Sequence, residues 1–289
     1  MGKASRRKRQ AEGSKAPSRA PFVNRPFEGL ANETDWVAMR EIIPAATAKV
    51  TMQFDGTPQE VTLVSVLPGA TPAIHRADGE VLVGLQSRTH SGDASRDIVL
   101  AAQTALTTEP GQAVPAIPTA TAATPRLQDV LADGTELTVE VQDNFNFWIN
   151  EEDATPEVLA SLEQTNEAAV PTVPVPGRPS TYWCKMSDRT YVRWVLSEDE
   201  DVATTALARL QAAGEHTLGD GTALLGAFRA AGLLVPVLEV DPSTDPADLT
   251  TPLQALADRY AAALTQEASL TPEERRARDG LISRQVTLR

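Results

Sequence analysis

Residues 182–214 read YWCKMSDRTYVRWVLSEDEDVATTALARLQAAG. The runs 182–186 and 191–196 are rich in aromatic and β-branched residues and flank a short polar break, which predicts a hairpin. Its expected inward sets are Tyr182, Cys184 and Met186 on one strand and Val192, Trp194 and Leu196 on the other. Glu198-Asp199-Glu200-Asp201 then places carboxylates at the start of a helix over 200–213, where they complement the helix dipole. Gly214 closes that helix. A further strand is expected over 170–175, so the unit reads strand, hairpin, helix.

The same order occurs earlier. Strands 50–54 and 61–67 flank Asp55-Gly56, and strands 73–76 and 81–86 flank Asp78-Gly79; both dipeptides are hairpin signals. A helix follows over 93–107, with Ile98, Val99, Ala102 and Leu106 inward. The two stretches, 61–107 and 170–213, fit either a degenerate duplication or the ordinary recurrence of ββα units in α+β domains. Ahead of them, Trp36, Val37, Met39 and Ile43 recur at helical spacing in a helix that Pro44 ends.

Between the two units, 110–125 is rich in Pro, Ala and Thr and reads as a linker or an extended edge. Strict alternation then sets Leu137, Val139, Val141, Phe145, Phe147 and Ile149 on one face of a strand too long to be single, so Asp143-Asn144 marks a turn or bulge. Thr155-Pro156 opens a helix as N-cap and N1. A helix over 222–231 closed by Gly232, a strand over 233–240, and helices opened by Thr251-Pro252 and Thr271-Pro272 complete the chain. The last should span 272–279 and stop at Gly280, with Leu281 or Ile282, Val286 and Leu288 docking on the body. The expected fold is α+β: a mixed, largely antiparallel sheet covered by helices. The expected parts are a disordered basic tail (1–24), one half over 25–125 and a second over 126–289.

Charge is unevenly placed. The 289 residues carry a net charge of −13. Residues 1–20 hold Lys3, Arg6, Arg7, Lys8, Arg9, Lys15 and Arg19 against Glu12 alone, which leaves the rest at −19. An acidic body repels nucleic acid, whereas a basic arm attracts it. Lys3, Arg6, Arg7, Lys8 and Arg9 are therefore the candidate contacts to RNA or a protein partner. No aromatic residue interleaves them, so base stacking is not expected. One cysteine, Cys184, excludes an intrachain disulfide and fits a reducing compartment. No apolar run reaches the roughly 20 residues of a membrane span. A cytoplasmic location follows as the expectation.

No motif specifies a reaction. Cys184 lies mid-strand and reads as a structural thiol. His75, His90 and His216 show no zinc spacing, and no cofactor or metal is expected. His90-Ser91-Gly92-Asp93 gathers three polar types in one loop, although Ser91 or Asp93 as a helix cap explains it as well. The loop 218–222 lacks a phosphate-binding lysine, and the acids at 239, 241, 245 and 248 do not match a calcium loop. Asp143 interrupts an apolar face and is a candidate buried carboxylate.

Several segments occur together in order: Arg25-Pro-Phe-Glu-Gly-Leu with Asp35-Trp-Val-Ala-Met-Arg, Ser91-Gly-Asp-Ala-Ser-Arg-Asp97, Arg126-Leu-Gln-Asp, and Thr271-Pro-Glu-Glu-Arg-Arg-Ala-Arg with Arg284-Gln-Val-Thr-Leu288. Over residues 25–289 the chain resembles an actinobacterial family of unknown function whose members often carry an N-terminal SEC-C zinc motif. That motif is absent here, and a basic arm stands in its place. The resemblance implies no activity and no zinc. The functional expectation is a non-enzymatic intracellular interaction protein, ribosome-associated or engaged in protein handling. Two alternatives stand beside it: an enzyme assembled around His90, Asp93 and Asp97 or Asp143, and nucleic-acid binding through the arm.

Overall fold

The computed structural model describes residues 18–150 and 154–283. Eleven strands among these residues form two sheets. The first comprises β1 (Ala46–Phe54), β2 (Thr57–Val66), β3 (Ala73–His75), β4 (Val81–Gln86), β5 (Gln112–Val114) and β6 (Glu140–Val141), in the order β5-β3-β4-β2-β1-β6. Only β2 and β4 run parallel. The second comprises β7 (Thr172–Pro174), β8 (Thr181–Met186), β9 (Arg189–Trp194), β10 (Ala223–Ala230) and β11 (Leu233–Val240), in the all-antiparallel order β10-β11-β9-β8-β7. The architecture is α+β, and the parallel pair in one sheet alone shows that the two ββα stretches are wired differently.

Helix α1 (Glu33–Glu41) lies between the sheets. Trp36, Val37, Ala38 and Met39 are consecutive, so they point around the whole helix, and all four are fully buried. They share one core with Val50, Met52, Leu63 and Val83 of the first sheet and with Tyr182, Val195, Leu233 and Val235 of the second. Phe27 stacks on Trp36 with centroids 5.8 Å apart. Helix α2 (Ala94–Leu106) joins the same core through Ile98, Val99 and Ala102, near the short helix α3 (Leu127–Val130). The opposite face of the first sheet is covered by Phe145, Trp148 and Leu162, the last from helix α4 (Pro156–Glu167). The outer face of the second carries α5 (Glu200–Ala213), α6 (Thr250–Leu264) and α7 (Pro272–Ser283).

Turn chemistry sets the hairpins. Asp55 (φ 50°) and Gly56 (φ 77°) both take the left-handed region, as a type I′ connection requires, and so do Ala231 (φ 45°) and Gly232 (φ 85°) between β10 and β11.

Several expectations are corrected. Residues 222–231 are not a helix: β10 is a strand, because the apolar run of β11 needs a partner and the Ala231-Gly232 turn folds its neighbour back, overriding the helix propensity of Ala and Leu. The alternating stretch 137–149 forms the two-residue strand β6 and a single 3-10 turn over Asn146–Trp148. Leu137, Val139 and Val141 join the core between the sheets, whereas Phe145, Phe147 and Ile149 join the core on the other face of the first sheet. The chain thus passes round the sheet edge near Asp143.

The inward sets of the β8–β9 hairpin lie on opposite faces. Met186 pairs with Arg189 across a two-residue loop, so Tyr182 pairs with Arg193 and Cys184 with Tyr191. Cross-strand partners share a face. Val192, Trp194 and Leu196 instead face the helices of the second sheet.

Residues 18–24, placed in the tail by composition, belong to the body: Ala20 donates to the Ala120 carbonyl (3.0 Å) and Val23 to that of Gly92 (2.8 Å). The segment 110–125 supplies the edge strand β5 and buries Ala120. Although both follow residue 126, β6 and α4 complete the first sheet, so the sheets do not divide at that point. Helix α7 runs through Gly280, and Leu281 is buried against the second core. Val286 and Leu288 lie outside the described residues.

A Cβ on Gly232 would meet the Arg25 Cβ at 2.8 Å and the Asn24 carbonyl at 2.9 Å, whereas one on Gly134 (φ 75°) would meet nothing. Gly232→Ala is therefore expected to lower Tm more than Gly134→Ala, by the equivalent of about 1–3 kcal/mol. Differential scanning calorimetry of the pair separates the clash from the backbone strain common to both; equal shifts would refute it.

Candidate functional site

The loop before α2 is held by its own polar side chains. Asp93 is the N-cap: its carboxylate accepts from Ser95 N (3.1 Å) and from Arg96 Nε (3.1 Å). Arg126 Nε stands 3.1 Å from the same oxygen as an ion-pair contact. Asp93 is wholly buried, so both guanidinium groups act on it with little screening. Arg126 also donates to the Pro26 carbonyl (2.8 Å), and Gln128 donates to those of Pro26 and Glu28. Asp93 is thus a structural anchor through which α2 fastens the N-terminal segment.

One turn along, Asp97 accepts from Ser91 N through Oδ2 (3.0 Å). Its Oδ1 is buried without a hydrogen-bond partner. His90, Asp93 and Asp97 line one hollow of about 290 Å³ together with Phe22, Pro26, Arg40 and Ala231. The structure therefore brings these three predicted residues together. Asp143 is not a buried carboxylate: it is exposed at the sheet edge and lines no part of this hollow. Lys3, Arg6, Arg7, Lys8 and Arg9 lie outside the described residues.

A second, more open hollow of about 450 Å³ lies between β9 and α6. Trp194 and Tyr260 pack edge to face beneath it, with centroids 5.4 Å apart. Arg178 sits 5.3 Å above the Trp194 ring and donates to Gln254 (3.1 Å). The Tyr260 hydroxyl donates to Glu198 (2.8 Å), and burial with this carboxylate pushes the phenol well above its usual range. Sequence reading missed this site, because its parts come from a loop, a strand and a helix. The available signal was the aromatic and charged side chains at 178, 194, 198 and 260.

The remaining candidates resolve into structural roles. Cys184 is fully buried, and burial pushes its thiol up despite the neighbouring Arg193. Arg193 is itself buried, with Nε and Nη2 unbonded; desolvation lowers its pKa. His75 bonds the Thr108 carbonyl (2.7 Å). The loop 218–222 closes through Thr222, which donates to the Gly219 carbonyl (2.7 Å), and it leads into a strand, so no helix N-terminus faces an anion there. Asp241 accepts from Ser243 N (2.8 Å), and Asp245 caps a short turn through Ala247 N (2.8 Å). Among the described residues no three His, Cys, Asp or Glu side chains group as a metal site.

A raised thiol pKa means less thiolate at a given pH, and thiolate is the reactive form. Iodoacetamide at pH 8 should leave Cys184 unmodified in the folded protein and alkylate it once guanidinium unfolds the chain; rapid labelling of the native state would contradict this. Asp93→Ala should cost about 1–3 kcal/mol and expose the amides of residues 20–28 to hydrogen exchange, and unchanged protection there would show that the ion pairs do not hold the segment.

Among known proteins, residues 26–289 match the model of a family of unknown function, DUF5926. No curated protein and no solved structure matches the chain.

Proposed function

The chain belongs to the DUF5926 family, and we propose that it is a non-enzymatic interaction protein of the bacterial cytoplasm, binding another protein near the ribosome or in protein handling. The observation that carries this reading is the open hollow over Trp194 and Tyr260. It is a shallow, partly apolar surface with an aromatic base, and its polar groups are already bonded to one another. Trp194 and Tyr260 are themselves buried, so they fix the floor of the hollow and leave contact to the residues of its rim. The charges along its rim are of both signs, Arg178 with Glu198 and Asp258, which suits a mixed protein surface better than a polyanion. Asp93 supports the same reading, since its charge is committed to Arg96 and Arg126 rather than to a substrate. No described helix is long and apolar enough to cross a membrane.

A second reading, an enzyme built on His90 and Asp97, is favoured by one observation: both line the hollow beside α2. A third, nucleic-acid binding, rests on the charge of the basic arm.

Affinity capture from lysate distinguishes them. The full chain, a form lacking residues 1–17 and Ala261→Arg are compared, the last placing a charge on the exposed rim of α6. The expected result is a set of proteins retained without the arm and lost from Ala261→Arg. Equal recovery by Ala261→Arg, or recovery that needs the arm and disappears with nuclease, would overturn the proposal.

A further inference from the structure

We propose that the hollow beside α2 binds a free α-amino acid with an apolar side chain. The starting point is Asp97. It is 8% exposed, its Oδ2 is bonded to Ser91 N, and its Oδ1 has no partner. A carboxyl oxygen left without a partner in the interior is costly, so it calls for a donor from outside the chain. Asp97 lines both the 290 Å³ hollow and an adjoining pit of about 10 Å³. The pit has room for one water-sized group, and an ammonium is such a group.

Arg40 and His90 line the same two spaces. Arg40 commits Nε to the Leu85 carbonyl (3.1 Å) and Nη1 to Glu41, which leaves Nη2 as a donor. The ligand therefore meets an acceptor at Asp97 and a donor at Arg40. Among the described residues Arg40 pairs with Glu41, and both Arg96 and Arg126 pair with Asp93, which leaves Asp97 without an ion-pair partner. An ammonium would supply that partner, and a carboxylate on the same molecule would meet Arg40. Phe22, Val23, Pro26 and Ala231 form an apolar stretch of the wall, beside the polar Asn24 and the paired carboxylate of Asp93. Phe22 is 78% exposed at the mouth, so it has contact area left for a bound side chain. The ammonium would donate to Asp97 Oδ1, the carboxylate would accept from Arg40 Nη2, and the side chain would lie along the apolar wall.

The test uses the full-length protein. L-Leucine, L-isoleucine, L-methionine and L-phenylalanine are added at roughly 10 mM, enough to raise Tm for any Kd below about 1 mM. Isothermal titration then compares the best of them with its amide, which lacks the carboxylate, and with its deaminated acid, which lacks the ammonium. At least one amino acid should bind, and each truncated analogue should bind about 10- to 100-fold more weakly. Asp97→Asn keeps an acceptor for Ser91 N and should weaken binding by the same factor, and Arg40→Gln provides a second variant should the first fail to fold. Failure of all four to bind would leave Oδ1 holding a trapped water and overturn the proposal. So would binding unchanged by Asp97→Asn, or an amide that binds as tightly as the amino acid.

Discussion

The structure depends on the burial, on every side, of the middle turn of one nine-residue helix. Trp36, Val37, Ala38 and Met39 leave the middle turn of α1 no polar face, so that turn needs a covering layer on each flank, while Glu33, Thr34, Asp35, Arg40 and Glu41 keep the two ends in reach of solvent. The two sheets are those layers. Burying side chains the size of Trp36, Val37 and Met39 stabilises the fold by about 1.5–3 kcal/mol each, and that gain requires both sheets at once. The helix therefore joins the two halves more firmly than any surface contact.

Its N-terminal end is tied with the same economy. Asn32 takes the left-handed region (φ 42°) and bonds both the N–H and the carbonyl of Leu137 (2.9 Å each), while Asp35 accepts from Ser180 Oγ (2.6 Å). Arg25 holds Glu33 through two nitrogens and reaches Asp199 (2.8 Å). The acidic run at the start of α5 then spreads outward: Glu198 to Tyr260, Glu200 to Arg229 and Asp201 to Arg278. Asp199 and Asp201 are largely exposed, so their pairs contribute at most about 1 kcal/mol each. Their value lies in direction, since four neighbouring carboxylates point to four different elements.

Both hollows lie where such ties converge. One is bounded by the N-terminal segment where it crosses α2, and the other by α6 where it crosses β9. In the first, Asp93 accepts two hydrogen bonds and stands in ion-pair contact with Arg126, whereas Asp97 accepts one hydrogen bond. Two carboxylates a single turn apart thus differ in character, one holding the fold and the other presenting an unmatched oxygen to a cavity.

Local chemistry was legible in the sequence wherever a few adjacent residues settle the backbone. Asp55-Gly56 marked a hairpin, Thr155-Pro156 and Asp93 marked helix starts, and the spacing of Ile98, Val99 and Ala102 showed the buried face of α2, because turns, caps and periodicity act within one or two turns of chain. The grouping of His90, Asp93 and Asp97 was also visible, since all three sit within eight residues. Contacts across the chain were decided only by the tertiary structure. The strand β10 exists because β11 lies beside it, the alternation over 137–149 divides between two cores because the chain rounds a sheet edge, and Arg40, Phe22 and Ala231 come from three distant segments to line one hollow with Asp97. No local pattern encodes these approaches; they follow from how α1 obliges the two sheets to close around it.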